Sequence, residues 1–260
     1  MITFSKIGNY GRLGNQMFQY AASKSAALNC NTIFALPTES HELSNFFNLD
    51  CKFYSLNQNI NLINKMKTYS ETIFEYDSRF ENISDNTSLE GYFQSEKYFK
   101  KYENIIRKDL TFKKEILDIV EPYISDLNKE NNLVSVHIRR GDYVNLQQYH
   151  PLCTIEYYKN AMLKFTNHKF LIFSDDIQWC KNNFGNENNI IYSELNSHIQ
   201  DMCGMSLCSH NIIANSSFSW WGAWLNDNPN KIVIAPQKWF GESYRDKNTK
   251  DIYCDNWIKL

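Results

Sequence analysis

The run Leu133-Val134-Ser135-Val136-His137-Ile138-Arg139-Arg140-Gly141-Asp142-Tyr143 changes character at its midpoint. Leu133 to Val136 is short, apolar and β-branched, the pattern of a buried strand. Gly141 breaks it. A histidine, two arginines and an aspartate therefore stand at or just beyond a strand end. In open α/β sheets, ligands bind in the crevice outside the carboxyl ends of the strands. An arginine there can grip phosphate oxygens through two parallel hydrogen bonds, a geometry that lysine cannot copy. Asp142, next to two cations, is a candidate proton acceptor. The other reading of the same residues is an Arg–Asp ion pair that ties a loop.

Outward from this run the pattern alternates. Strands are expected at 133–139, 169–174, 189–192, 211–214 and 231–235, with helices at 154–165, 177–183, 199–208 and 219–227. Such alternation implies an α/β protein with a parallel sheet. Upstream, Ile116, Leu117, Val120, Ile124 and Leu127 recur at helical spacing within 113–129. Residues 14–29 read as helix and 32–36 as strand, whereas the asparagine-rich stretch 57–67 fits neither pattern. The first half is too irregular to yield a second sheet by pattern alone. The polar stretch Asn128-Lys129-Glu130-Asn131-Asn132 separates this irregular half from the alternating one.

Two further segments carry possible chemistry. Gly11-Arg12-Leu13-Gly14-Asn15-Gln16-Met17-Phe18-Gln19-Tyr20 follows the strand-like Ile2-Thr3-Phe4. Its glycines permit a tight turn and close backbone approach, and the Ala-rich helix beyond would aim N–H groups at the loop. The spacing matches neither the dinucleotide fingerprint nor the triphosphate-binding loop, and a plain strand–helix connection explains it as well. In Asn211 to Leu225, a short strand enters the polar turn Asn215-Ser216-Ser217 and then an aromatic helix. The serines are good N-cap residues, so this helix start is a second place for phosphate. Trp220, Trp221 and Trp224 read as core, since three tryptophans so close on one helix cannot all face water cheaply.

Composition excludes several classes. The 260 residues suffice for one large core or two modest ones, and 43% hydrophobic with 22% charged residues is ordinary for a soluble globular protein. A net charge of -2 gives no field that favours nucleic acid or an acidic membrane. No apolar run approaches the roughly 18 residues of a bilayer span, and the start lacks a signal peptide's basic and apolar regions. The seven cysteines include no C-x-x-C pair, so reduced thiols are expected. A cytoplasmic location follows, in which the sequons at Asn82, Asn86 and Asn215 carry no weight.

Five segments in order, from about residue 8 to residue 225, resemble the bacterial α-1,2-fucosyltransferases of glycosyltransferase family 11. They are the G-R-L-G-N-Q-M-F-Q-Y-A start, Gly91-Tyr92-Phe93-Gln94-Ser95-Glu96-Lys97-Tyr98-Phe99, H-I-R-R-G-D-Y from His137, Phe173-Ser174-Asp175-Asp176, and N-S-S-F-S-W-W-G-A-W-L from Asn215. The resemblance implies the GT-B arrangement, two Rossmann-like domains facing across a cleft, with 1–128 on the acceptor side and 129–260 binding GDP-fucose. It implies GDP-L-fucose as donor and a β-galactoside acceptor, lactose-like, N-acetyllactosamine-like or a lipid-linked O-antigen repeat. Fucose would pass to a galactose 2-hydroxyl with inversion, giving an α-linkage. No metal or other cofactor is implied, nor any nucleic acid, and peripheral contact with the inner face of the cytoplasmic membrane is compatible with it. Another linkage, another GDP-sugar, or a non-catalytic carbohydrate-binding module are the alternatives. A dinucleotide-dependent sugar-nucleotide enzyme would need the absent fingerprint.

Roles follow by matching motifs. The first arginine after H-x, here Arg139, binds the β-phosphate in related fucosyltransferases, and His137 lies near guanine. Arg140 joins the GDP-fucose set, with bracing of the loop or of Asp142 as its other role. Asp201, sixteen residues before Ser217, corresponds to an aspartate that reads the guanine edge; a helix N-terminal charge is its other reading. Ser216, Ser217 and Phe218 take phosphate, and Gly14 and Asn15 face the pyrophosphate and fucose. Asp142 is the expected base, with Asn15 plus Arg139, or His150, as rivals. The α-1,6 relatives use a glutamate where this chain has Gln147, which weakens any direct transfer of that role. Asp175 and Asp176 read as structural or as polar lining, not as metal ligands: on a strand, adjacent side chains point to opposite faces.

Overall fold

The computed structural model describes residues 1–260. Met1–Lys113 and Lys247–Cys254 form one compact unit. Its strands are β1 (Ile2–Thr3), β2 (Phe34–Pro37), β3 (Lys52–Tyr54), β4 (Lys67–Ser70) and β5 (Thr87–Glu90). They make an all-parallel sheet in the order β3-β2-β1-β5-β4. The helices are α1 (Leu13–Asn29), α2 (Leu43–Phe46), α3 (Leu56–Ile63) and α4 (Glu103–Asp109). From Leu13 to Ala27 every α1 residue is buried except Asn15. A helix enclosed on all sides needs small side chains, which accounts for its alanines and serines. The ambiguous stretch 57–67 is α3, none of whose residues is buried, followed by the start of β4.

Lys114–Asp246 and Asp255–Leu260 form the other unit. It contains α5 (Lys114–Leu127), β6 (Leu133–Ile138), α6 (Ile155–Met162), β7 (Lys169–Ser174), α7 (Ile177–Phe184), β8 (Ile190–Tyr192), α8 (His198–Leu207), β9 (His210–Ile212), α9 (Ser217–Leu225), β10 (Val233–Ala235) and β11 (Ile258–Lys259). The six strands are parallel, in the order β11-β10-β9-β6-β7-β8. The unit break at Lys113 precedes by one helix the division expected at Asn128. The reason is the apolar stripe of α5, where Ile116, Val120 and Ile124 are buried, and α5 packs on α8.

Side chains of β6 alternate between two cores. Val134, Val136 and Ile138 enter a cluster with Tyr158 and Ala161 of α6 and Cys180 and Phe184 of α7. Ser135 and His137 point the other way, where Asn211 Nδ2 donates to Ser135 Oγ at 2.7 Å and the His137 ring lies 5.5 Å from that of Phe218. Trp220 and Trp221 are fully buried and Trp224 nearly so, as expected of core residues. In each sheet the strand order reverses once, between β1 and β5 and between β6 and β9. Those switch points are where open α/β sheets bind ligands.

Candidate functional site

In the second unit the arginines, Asp142, the two aspartates and the serine turn lie at the carboxyl ends of β6, β7 and β9, while Asp201 stands apart, in α8 after β8. Register dictates the first contact. Ile138 is paired with Ser174, so one step further Arg139 stands opposite Asp175 and Arg140 opposite Asp176. Arg139 Nη1 donates to Asp175 Oδ2 at 2.5 Å, while Nη2 donates to Asp142. Arg140 Nε donates to Asp176 Oδ2 at 2.9 Å, and its guanidinium lies 3.9 Å above the Trp179 ring. Asp175 also accepts the Arg140 backbone N–H at 2.9 Å. The adjacent aspartates thus diverge, one to each arginine. The Arg140 guanidinium holds the Asp176 carboxyl below the usual carboxylate range. Of the residues expected to partner Arg140, Asp142 is engaged by Arg139, and Arg140 pairs with Asp176. Gly141 has a steric role, since a Cβ there would lie 2.5 Å from Asp175 Oδ2.

The turn after β9 supplies the opposite wall. Ser216 is the N-cap of α9, its Oγ accepting from the Phe218 N–H at 3.3 Å, with Ser217 and Phe218 in the first turn and half-buried. The helix start carries a positive partial charge suited to an anion. Tyr143 clamps this turn to the arginine loop: its hydroxyl donates to the Asn215 carbonyl at 3.2 Å, and the Arg139 guanidinium lies 5.3 Å from its ring. Asn215 Nδ2 in turn donates to the carbonyls of Pro151 at 2.9 Å and Trp239 at 3.0 Å. Tyr143 closes the H-I-R-R-G-D-Y motif with no role read for it, and Trp179 lies outside every motif, the available signal being an aromatic close behind each charged group.

His137 is buried, and burial followed by the Arg139 charge pushes its imidazole down to about 3. It is neutral, and its Nδ1 has no protein partner. Asp201 stands in the first turn of α8, where its Oδ1 accepts from Ser193 Oγ at 3.0 Å. Burial pushes its carboxyl up to about 7, against the lowering effect of that bond. Such a desolvated acid gains from any ligand that presents two N–H donors. His150 is stacked on Tyr143 at 4.8 Å and edged by Phe240 and Tyr244, an aromatic setting.

Gly14 and Asn15 lie in the first unit, at the carboxyl end of β1. Gly11 has φ +107, and a Cβ there would collide with Asn15 Nδ2. Asn15 Nδ2 donates to the Tyr10 carbonyl at 3.0 Å, and Oδ1 accepts from Gln94 Nε2 at 2.7 Å. Gln94 belongs to a segment that the motif reading had noted without assigning it chemistry. No group of three or more His, Cys, Asp or Glu side chains is arranged to hold a metal ion.

The model of the family described as Glycosyl transferase family 11 matches residues 2–260. The chain is 34% identical to an α-1,2-colitosyltransferase of Escherichia coli over 96% of each chain. It is 29% identical to the Escherichia coli O-antigen biosynthesis glycosyltransferase WbnK, over 96% of this chain and 98% of that one. A galactoside 2-α-L-fucosyltransferase of Bos taurus is 26% identical over 83% of this chain and 62% of its own length. Among solved structures, the NodZ α-1,6-fucosyltransferase soaked with GDP-fucose is similar with a TM-score of 0.54 and 15% identity, covering 90% of this chain and 94% of that one. At that identity the likeness establishes the GT-B-type fold.

Proposed function

Because the chain belongs to glycosyltransferase family 11, we propose that it transfers L-fucose from GDP-β-L-fucose to the 2-hydroxyl of a terminal β-galactoside. The product is an α-1,2 linkage formed with inversion and without a metal. The observation that carries this reading is that Tyr143 joins the Arg139 guanidinium to the turn that opens α9, at the switch point of the second sheet. As the glycosidic bond breaks, charge grows on the diphosphate. Preorganised cations and N–H dipoles stabilise that charge in the transition state. Arg139 takes the β-phosphate with its fork, and Ser216, Ser217 and Phe218 take phosphate through hydroxyl and backbone N–H groups. Arg140 holds the loop in shape and adds positive charge. Asp201 accepts N1–H and the exocyclic amine of guanine, and neutral His137 sits near the base.

Asp142 is the general base. It is paired with Arg139. A diphosphate that captures the Arg139 fork releases the Asp142 carboxylate toward the acceptor hydroxyl. Gly14 and Asn15 bear on the pyrophosphate and the fucose. The aromatic packing of His150 supports a structural role for that residue, and the buried tryptophans speak against a sugar-stacking module. No helix is long and apolar enough to cross a membrane, and the proposed place of work is the cytoplasm, at or near the inner membrane face, on a soluble galactoside or a lipid-linked O-antigen repeat.

A second reading has its own support: the relative at 34% identity transfers colitose, a sugar that lacks one ring hydroxyl of fucose. A site that hydrogen-bonds that hydroxyl discriminates strongly against its absence. The test incubates the protein with GDP-fucose or GDP-colitose and lactose, N-acetyllactosamine or galactosyl-N-acetylgalactosamine. Products are read by mass spectrometry and by NMR for linkage. Fucose on the galactose 2-hydroxyl is expected. Transfer to another position, or from GDP-colitose alone, overturns the assignment.

A further inference from the structure

Asn15 does not set its own orientation. With its carboxamide flipped, oxygen would face the Tyr10 carbonyl and nitrogen would face Gln94 Nε2, so the two neighbours select one face. Gln94 is itself buried and follows a turn that few sequences adopt. Gly91 has φ +150, and a Cβ there would lie 2.5 Å from Glu71 Cβ. Phe93, an ordinary L residue, has φ +53. A left-handed aromatic is strained and persists only when its surroundings hold it.

Glu71 supplies part of that hold. Ser70 of β4 is paired with Glu90 of β5, which sets Glu71 beside Gly91 at the carboxyl ends of the strands. Its Oε2 accepts the Tyr92 N–H at 2.8 Å and its Oε1 accepts the Phe93 N–H at 2.9 Å. Burial pushes the Glu71 carboxyl up to about 7, against the lowering effect of these two bonds, so the turn has a fully charged acceptor only above that pH. The Phe93 ring is fully buried among Phe4, Phe80 and Tyr98, which fixes the turn from its other side. The chain leaves β5 through Gln94 and leaves β1 through Asn15, the two sides of the first sheet's switch point.

We propose that Gln94 and Glu71 are positioning residues for the transfer reaction: Glu71 holds the Gly91–Gln94 turn, and Gln94 thereby presents the Asn15 carboxamide in one orientation. The inference rests on the reading of Asn15 as a group that meets the donor sugar. It makes a claim that a merely structural role would not, namely that Gln94 acts on turnover only through Asn15.

A double-mutant cycle tests this, with kcat and the KM for GDP-fucose measured for Asn15→Ala, Gln94→Ala and the pair. Gln94→Ala is expected to lower kcat roughly ten- to a hundredfold, the scale of a small misplacement at a reacting centre, with KM changed less than about threefold. In the Asn15→Ala background the same change should then alter kcat by less than about twofold. Glu71→Gln, which keeps one of the two acceptors, should lower kcat less and add nothing once Gln94 is alanine. If Gln94→Ala does not fold, Gln94→Glu takes its place, since it keeps the size and removes the donor to Asn15 Oδ1. Losses that multiply in the double variant, or full turnover in Gln94→Ala while Asn15→Ala is impaired, would overturn the inference alone. Full turnover in Asn15→Ala would overturn the reading of Asn15, and the inference with it.

Discussion

If Asp201 reads guanine as proposed, it gives nucleotide binding a pH signature. Burial pushes its carboxyl up to about 7, well above the usual aspartate value of 3.8. If guanine presents two N–H donors to it, the ionised form binds GDP and the protonated form does not. GDP affinity should then be level above pH 8 and weaken on the order of tenfold per pH unit below 7. Between pH 8 and pH 5 the loss is about a hundredfold, provided the bound carboxyl titrates below 5. The phosphate of GDP also titrates near pH 6, so UDP serves as the reference, with the same phosphates and no such edge. Isothermal titration of GDP and UDP at pH 5, 6, 7 and 8 gives the ratio directly. Asp201→Asn should remove the extra slope and weaken GDP binding at pH 8 by roughly ten- to a hundredfold, the loss of a charged hydrogen-bond partner. The sign for stability is opposite. A carboxyl whose folded pKa is raised contributes stability that is present below the unfolded pKa and lost as pH rises through the folded one. The window here runs from about 4 to about 7. Asp201→Asn should therefore raise Tm at pH 8 and change it little at pH 4. Equal affinity of the intact protein for GDP and UDP at pH 8, or parallel GDP profiles in the intact protein and Asp201→Asn, would refute the reasoning.

Arg139→Lys keeps one positive charge but replaces two separately directed nitrogens with one, so turnover should collapse and donor affinity should fall; activity within threefold of the parent would remove Arg139 from the phosphate site. Asp142→Asn nearly preserves shape and should lower kcat by about 10²–10⁴ with GDP affinity mostly retained. Loss of GDP binding in that variant would make Asp142 a structural partner of Arg139. Transfer should proceed fully in excess EDTA, and activity that vanishes with chelator and returns with magnesium or manganese would bring Asp175 and Asp176 into the catalytic site.

Much of the second unit was legible because β6, β7 and β10 are buried on both faces and α5 and α7 each have one apolar side. The ranges expected for 169–174 and 177–183 differ from β7 and α7 by at most a residue. The first unit was not legible by pattern. β1 has only two residues, β3 and β4 are edge strands with largely exposed side chains, and α3 buries nothing. Edge elements carry little apolar signal, since half of their surroundings is water. The sheet of the first unit came only from the resemblance.

Sequence alone determined which residue types stand at strand ends: arginines and an aspartate after β6, two aspartates after β7, serines after β9. Local rules suffice there, because a strand's end and a helix's cap depend on a few neighbouring residues. The tertiary structure decided which of these groups meet. Arg139 finds Asp175, 36 residues away, because β6 and β7 pair in one register, and a shift of one residue would turn every side chain to the other face. Gln94 finds Asn15 across 79 residues for the same kind of reason, since β1 and β5 are neighbours in the first sheet. Register and strand order are choices made by the whole core at once, and no window of sequence contains them.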